Sequence, residues 1–127
     1  MQLQTISTPD APKAIGPYSQ AVSADGFVFV SGQLGLDPET GNLVSEDVRS
    51  QAEQALKNLS AILLAAGTDL DHVVSVDVFL TDMADFQTLN AVYERFFVNH
   101  RPARAAIGVA ALPKGAKIEI RCTAVRR

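Results

Sequence analysis

A two-layer sheet-and-helix (α+β) domain is the fold class the sequence predicts. Two stretches repeat apolar residues at three- and four-residue steps, the period of a helix with one buried face. Around them lie short runs that are continuously apolar or that alternate with period two, as strands do. The 127 residues contain no internal repeat, low-complexity tract or flexible linker. Residues 1–127 therefore read as one domain, large enough to bury roughly two-thirds of the surface the unfolded chain exposes.

Pro9, Pro12, Gly16 and Pro17 break helix and extend the backbone, so the opening segment reads as ordered irregular chain entering a strand near Ser19. Residues 27–30 are all apolar and run on into Ser31, Gly32 and Gln33, the mark of a central strand covered on both faces. Residues 37–42 then gather Asp, Pro, Thr, Gly and Asn into a surface loop. From about Asp47 the helical period is carried by Val48, Ala52, Ala55, Leu56, Leu59, Ile62, Leu63 and Ala66, and Gly67 supplies the left-handed stop. Val74, Val76, Val78 and Leu80 alternate with polar residues as a half-buried strand. Asp82 or Asp85 can cap a second helix, whose stripe is Phe86, Leu89, Tyr93, Phe96 and Phe97 and which ends before Pro102. Two last strands, near residues 104–109 and 117–125, flank Leu112-Pro113-Lys114-Gly115, and antiparallel pairing is the economical connection. The order is β, β, α, β, α, β, β. Helices on one face would leave the other open, and apolar or small residues there predict subunit association.

Composition narrows the function. Apolar residues make up 47% of the chain and charged residues 20%, ordinary globular usage. A formal charge of −3 with scattered Lys and Arg offers no broad attraction for nucleic acid. The lone Cys122 forms neither an internal disulfide nor a cysteine zinc site, which points to a reducing, cytoplasmic setting. No secretory signal or membrane span is read. His72 and His100 lack metal-ligand spacing, so no metal is expected. Without a phosphate loop or serine elbow, no cofactor is expected either.

Alternation in the last two strands sets Ile107 and Val109 against Arg104, Ala106 and Gly108, and Ile118, Ile120 and Cys122 against Glu119, Arg121 and Thr123. Arg104 and Glu119 then share the non-core side, roughly opposite one another if the strands pair. A guanidinium beside the small residues Ala106 and Gly108 suits an amino-acid-like carboxylate. A surface ion pair accounts for the same two residues. Ser31 and Gly32 either admit a group close to the backbone or simply end a strand. Tyr18, behind the rigid Gly16-Pro17, is a fixed phenol or a packing residue. Asn90 lies among aromatics and must find partners if buried, for which capping a loop is the plain account. Cys122 points to the core as a small hydrophobe.

Ile15-Gly16-Pro17-Tyr18-Ser19-Gln20-Ala21, Ser31-Gly32-Gln33, Pro102-Ala103-Arg104, Lys117-Ile118-Glu119-Ile120 and Ala124-Val125-Arg126-Arg127, taken in order, resemble the RidA (YjgF) family across essentially the whole chain. The resemblance implies a chorismate-mutase-like fold: a six-stranded, mostly antiparallel sheet with two helices on one face, joined into a barrel-like homotrimer with clefts between subunits. It implies a cofactor-free deaminase that hydrolyses 2-iminobutanoate and 2-iminopropanoate to 2-oxo acids and ammonia. By motif position it assigns carboxylate binding to Arg104, water positioning to Glu119, and the pocket lining to Tyr18, Ser31, Gly32, Asn90 and the backbone at Ala106. Three features depart from the family pattern. Ala106 replaces a frequent Cys, Ser or Thr, Arg121 replaces an acidic residue or Val, and residues 100–102 are shortened.

The mechanism expected from these assignments has Arg104 holding the substrate carboxylate and Glu119 taking a proton from the attacking water. Tyr18 and Ser31 would hydrogen-bond the nitrogen, and partial burial would raise the pKa of Glu119, opposed by Arg104. The alternatives are a non-catalytic binder of small carboxylates and an endoribonuclease. The acidic balance of the chain and the separated histidines argue against the second.

Overall fold

The computed structural model describes residues 2–127. Six strands, β1 (Leu3–Ile6), β2 (Ala21–Ala24), β3 (Phe27–Leu34), β4 (Val73–Leu80), β5 (Ala103–Gly108) and β6 (Ile118–Val125), form one sheet in the order β1-β2-β3-β6-β4-β5. Helices α1 (Val48–Ala65) and α2 (Phe86–Phe96) pack on one face of it, and the buried side chains form one cluster between the two layers. Neighbouring strands are antiparallel except β4 and β5, which run parallel. No helix among the described residues is long and apolar enough to cross a membrane.

Helix α1 follows its sequence pattern. Asp47 Oδ2 accepts from the Ser50 N–H at 3.1 Å, capping the first turn. Beyond the last turn Gly67 takes φ 85°, a conformation that favours glycine. Its buried face holds the expected Ala52, Ala55, Leu56, Leu59, Ile62 and Leu63, together with two amides, Gln51 and Asn58. Asn58 Nδ2 donates to the carbonyls of Leu34 (3.2 Å) and Leu36 (3.0 Å). Gln51 Nε2 donates to Ser45 O at 2.9 Å, and its Oε1 accepts from Lys117 N at 2.8 Å. A Cβ on Gly35 would stand 2.5 Å from Gln51 Cα, so the glycine lets helix and chain meet. These contacts fix the end of β3 and the entry to β6.

The connectivity departs from expectation at the C-terminal half. Strands β5 and β6 do not pair: β6 inserts between β3 and β4, and β5 lies outside β4. The reason lies in what each strand can bury. Ile118, Ile120 and Ala124 of β6 are wholly buried, whereas β5 is Ala103-Arg104-Ala105-Ala106-Ile107-Gly108 and has little apolar surface to cover. Helix α2 joins β4 to β5 as a strand–helix–strand crossover, which returns the chain to the same end of the sheet and makes the pair parallel. Strand β1 adds a sixth strand to the five found from periodicity. It pairs only with β2, and of its residues only Ile6 is buried.

A bulge and exposed apolar side chains mark the helix-free face. Between Val30, opposite Cys122, and Gln33, opposite Ile120, β3 carries an extra residue, a bulge at Ser31-Gly32. Apolar side chains exposed on this face include Phe27, Phe29 at 49% and Ile107 at 47%. The run 27–30 is therefore covered on one face only, and the uncovered face is apolar.

Candidate active site

The bulge builds one half of the site. Glu119 sits on β6 between Leu34 of β3 and Phe79 of β4, half-buried on the helix-free face. A Cβ on Gly32 would stand 2.7 Å from Glu119 Oε2 and 2.8 Å from its Cδ, so glycine is what leaves the carboxylate lying over the bulge. Burial raises the Glu119 carboxyl above its ordinary pKa, and the neighbouring guanidinium of Arg121 opposes the rise. The opposing cation is thus Arg121, not Arg104. Arg121 is itself held, its Nε donating to Asp77 Oδ2 at 2.9 Å.

Tyr18, Ser31, Gly32 and Glu119 line one hollow of about 870 Å³. Gly16 at φ 134° and the hydrogen bond from Tyr18 N to Gly16 O (2.9 Å) make the elbow that presents Tyr18. The phenol oxygen accepts from Ile15 N at 3.4 Å, which leaves its own proton to give. Ser31 is the reverse case. Its hydroxyl donates to Ser19 O at 2.6 Å, so what it offers a ligand is a lone pair. Gln20 holds this wall in place: its Oε1 accepts from Thr8 N at 2.7 Å, and its Nε2 donates to the carbonyls of Thr8 (3.1 Å) and Pro12 (2.8 Å). Gln20 lies within residues 15–21, but its burial and its partners 8 and 12 residues upstream in the chain leave no periodic signal.

Arg104 builds the other half, on the opposite face. In β5 the side chains of Arg104 and Ala106 turn to the helix layer, where Ala106 packs against the core, and Ile107 turns to the open face. The expected inward Ile107 and outward Arg104 are therefore inverted. Arg104 Nη1 donates to Asn90 Oδ1 at 2.8 Å, and its guanidinium carbon lies 4.8 Å from the Tyr93 ring centroid and 5.5 Å from that of Phe86. Asn90, Tyr93, Arg101, Pro102 and Arg104 border a hollow of about 360 Å³. Ala106 lines neither hollow.

Within one chain, then, Tyr18, Ser31, Gly32 and Glu119 converge, Arg104 and Asn90 converge, and the two groups do not meet. Arg104 stands opposite Val76 of β4 and Glu119 opposite Phe79, on different faces of the sheet. The remaining polar candidates are spoken for. His72 Nδ1 is bonded to Asp69 Oδ1 at 2.6 Å, and His100 Nε2 to Val73 O at 2.8 Å. Cys122 faces the core, where burial pushes its thiol up to about 12.

Comparison with known proteins agrees with the geometry of the fold. Residues 8–126 match the family described as Endoribonuclease L-PSP. A human protein named 2-iminobutanoate/2-iminopropanoate deaminase is 53% identical over 97% of this chain and 90% of its own length. Among solved structures, RidA from the Antarctic bacterium Psychrobacter sp. superposes with a TM-score of 0.93 at 50% identity, covering 96% of this chain and 98% of that one. The Escherichia coli protein TdcF with bound serine superposes with a TM-score of 0.93 at 44% identity, covering 98% and 99%. Relatives of this identity span nearly the whole chain and share its sheet and helices, and on that ground this protein belongs to the RidA (YjgF) family.

Proposed function

We propose that this protein hydrolyses small 2-imino acids, 2-iminobutanoate and 2-iminopropanoate, to 2-oxo acids and ammonia, in a cleft completed by a neighbouring copy of a homotrimer. One observation carries the reading: a half-buried carboxylate, Glu119, lies over Gly32 and shares one hollow with Tyr18, whose phenol proton is left to give. That is the arrangement of a general base at a small hydrolytic site. The deaminase name of the human relative agrees with it, and the bound serine of TdcF is an amino acid of the right size. The exposed apolar face around Phe29 and Ile107 supports self-association, and association is what would bring Arg104 of one copy to Glu119 of the next.

The chemistry follows from the side chains. Arg104 has hydrogen-bonded only Nη1 among the described residues, so Nε and Nη2 remain to grip a substrate carboxylate in two parallel bonds. Glu119 takes a proton from water as the oxygen bonds to the iminium carbon, and the C=N electrons move to nitrogen. The protonated Glu119 then gives its proton to the resulting amine. The C–N bond breaks and ammonia leaves as the hydroxyl oxygen closes to a carbonyl, its proton going to the carboxylate of Glu119, which hands it to the ammonia so that ammonium departs. Ser31, with a lone pair to offer, accepts from the departing amine, and Tyr18 donates to the attacking or leaving group. The chemistry draws on these side chains and water alone, and a reducing cytoplasm fits the unpaired Cys122.

The test generates 2-aminoacrylate in place with a serine-deaminating enzyme and traps the surviving imine with semicarbazide. A deaminase lowers the trapped fraction in proportion to its concentration. A protein that binds the oxo acid yet leaves the trapped fraction unchanged is a binder only. Co-assembly of Arg104→Ala and Glu119→Gln subunits in equal amounts tests the shared cleft: random mixing restores about a quarter of the sites if each takes one residue from each of two copies, and none if one copy supplies both. An RNA cleaver would need an acid and a base beside a phosphate clamp. RNA cleavage that survives in both variants would place that activity outside this cleft.

A further inference from the structure

We infer that Tyr93, with Phe86 beside it, is a positioning residue for the reaction: the rings of α2 hold the Arg104 guanidinium so that its Nε–Nη2 edge faces the substrate carboxylate. This rests on the carboxylate-binding role proposed for Arg104. Phe86, Asn90 and Tyr93 recur at helical spacing along one stripe of α2, next to the edge strand that carries Arg104, and Phe97 follows at the end of the helix. The guanidinium carbon lies 4.8 Å from the centroid of Tyr93 and 5.5 Å from that of Phe86, within the range where the negative face of a ring attracts a cation. Asn90 Oδ1 takes one Nη1 hydrogen, which fixes the rotation of the plane. With the rings beneath the guanidinium and Nη1 engaged, the edge left without a partner is the one that matches a carboxylate fork.

The ring of Tyr93 is itself fixed, 4.6 Å from that of Phe97 and almost wholly buried. Its hydroxyl is buried and has no hydrogen-bond partner among the described residues. A tyrosine retained for its phenol would be expected to use it. Here the ring makes the contact and the oxygen makes none. The role is therefore assigned to the aromatic face, and a phenylalanine should serve as well as the tyrosine.

Three substitutions separate this from a packing role. Tyr93→Phe keeps the ring, Tyr93→Leu keeps apolar volume without a ring, and Arg104→Ala removes the group that is held. The readouts are kcat, KM for the imine and the ¹⁵Nε–¹Hε signal of Arg104, assigned by its loss in Arg104→Ala. Tyr93→Phe is expected to match the parent in KM and in the ring-shifted position of that signal. Tyr93→Leu is expected to raise KM roughly fivefold at nearly constant kcat and to move the signal to the position of a free arginine. Phe86→Leu, the more distant ring, should do the same in smaller measure and serves if Tyr93→Leu does not fold. The inference is overturned if the ring-less variants leave the signal in place, if they leave KM unchanged while Arg104→Ala raises it, or if Tyr93→Phe is as impaired as Tyr93→Leu, which would make the phenol oxygen a ligand contact. A signal that moves in Tyr93→Leu while Arg104→Ala leaves KM unaltered would overturn the carboxylate-binding role and leave the aromatic positioning of Arg104 standing.

Discussion

Arg104 and Glu119 stand on strands of opposite character. Strand β5 is at the edge of the sheet, rich in small residues and exposed, and its arginine is steadied from the side by rings and an amide of α2. Strand β6 lies inside the sheet, alternates strictly between buried and open residues, and walls Glu119 between Leu34 and Phe79. The two positions suit the two tasks proposed for them. A base must lose water to gain basicity, which an interior strand beside a bulge provides. A guanidinium meant for an incoming anion loses by burial, since desolvating it without a partner is costly, and an edge held open by aromatic contact avoids that cost.

If the carboxylate is the base, Glu119→Gln gives the largest effect. It keeps the shape and removes the proton acceptor, so kcat should fall by about a hundredfold or more while KM changes little. Near-normal kcat in this variant would end the assignment. Arg104→Ala comes next. Loss of a charged hydrogen bond costs ~1.5 to 3 kcal/mol, hence kcat/KM should drop at least about tenfold, chiefly through KM. A folded oligomer with near-normal kcat/KM would show that the edge half does not bind substrate.

Gly32→Ala tests the bulge itself. Gly32 has no left-handed φ to forbid a side chain, and the nearest obstacles are atoms of the flexible Glu119, so the fold should tolerate alanine. The carboxylate would have to move. A loss in kcat of about fivefold, with little change in melting temperature, is the expected result in paired activity and unfolding measurements. Unchanged kcat would mean that the present position of the carboxylate is not the working one.

The face that carries Glu119 was more legible in the sequence than the face that carries Arg104. Ile118, Ile120 and Cys122 alternate with Glu119, Arg121 and Thr123, and the structure keeps that division because a central strand has one deep face and one shallow one. In β5 the same reading failed. Hydrophobicity assigns Ile107 to the core, yet the helix side at the edge strand is occupied by Phe86 and Tyr93, and Ile107 lies on the open apolar face. The pairing failed for a related reason: closeness along the chain favoured a hairpin of the last two strands, while burial of β6 and the crossover through α2 decided otherwise. Helix α1 was legible down to the glycine that stops it because helices are local. Strand β1 was not, since four residues with one buried side chain carry no period. The buried amides Gln20, Gln51 and Asn58 act on distant carbonyls, and sequence spacing holds no record of such partners.

The smallest effect probes the Arg121–Asp77 pair beside the base. If Glu119 is the base, activity requires its ionised form and is lost as pH falls through a pKa that burial has raised and Arg121 holds partly in check. Arg121→Ala removes the restraining cation and leaves Asp77 without its partner, and both changes favour the protonated carboxyl. The acid limb of kcat should move to higher pH, by less than about one unit because the Arg121 side chain is largely exposed and screened by solvent. Arg121→Lys should largely restore it. Stability moves the other way with pH. A carboxyl whose folded pKa exceeds its unfolded value stabilises the fold below the unfolded pKa and ceases to do so as pH rises through the folded one. Through the same window the protein should therefore gain activity as Glu119's contribution to stability declines, and parallel pH profiles of kcat and of chemical denaturation would show the two curves crossing. An acid limb that stays fixed in Arg121→Ala would mean that the titrating group is not Glu119.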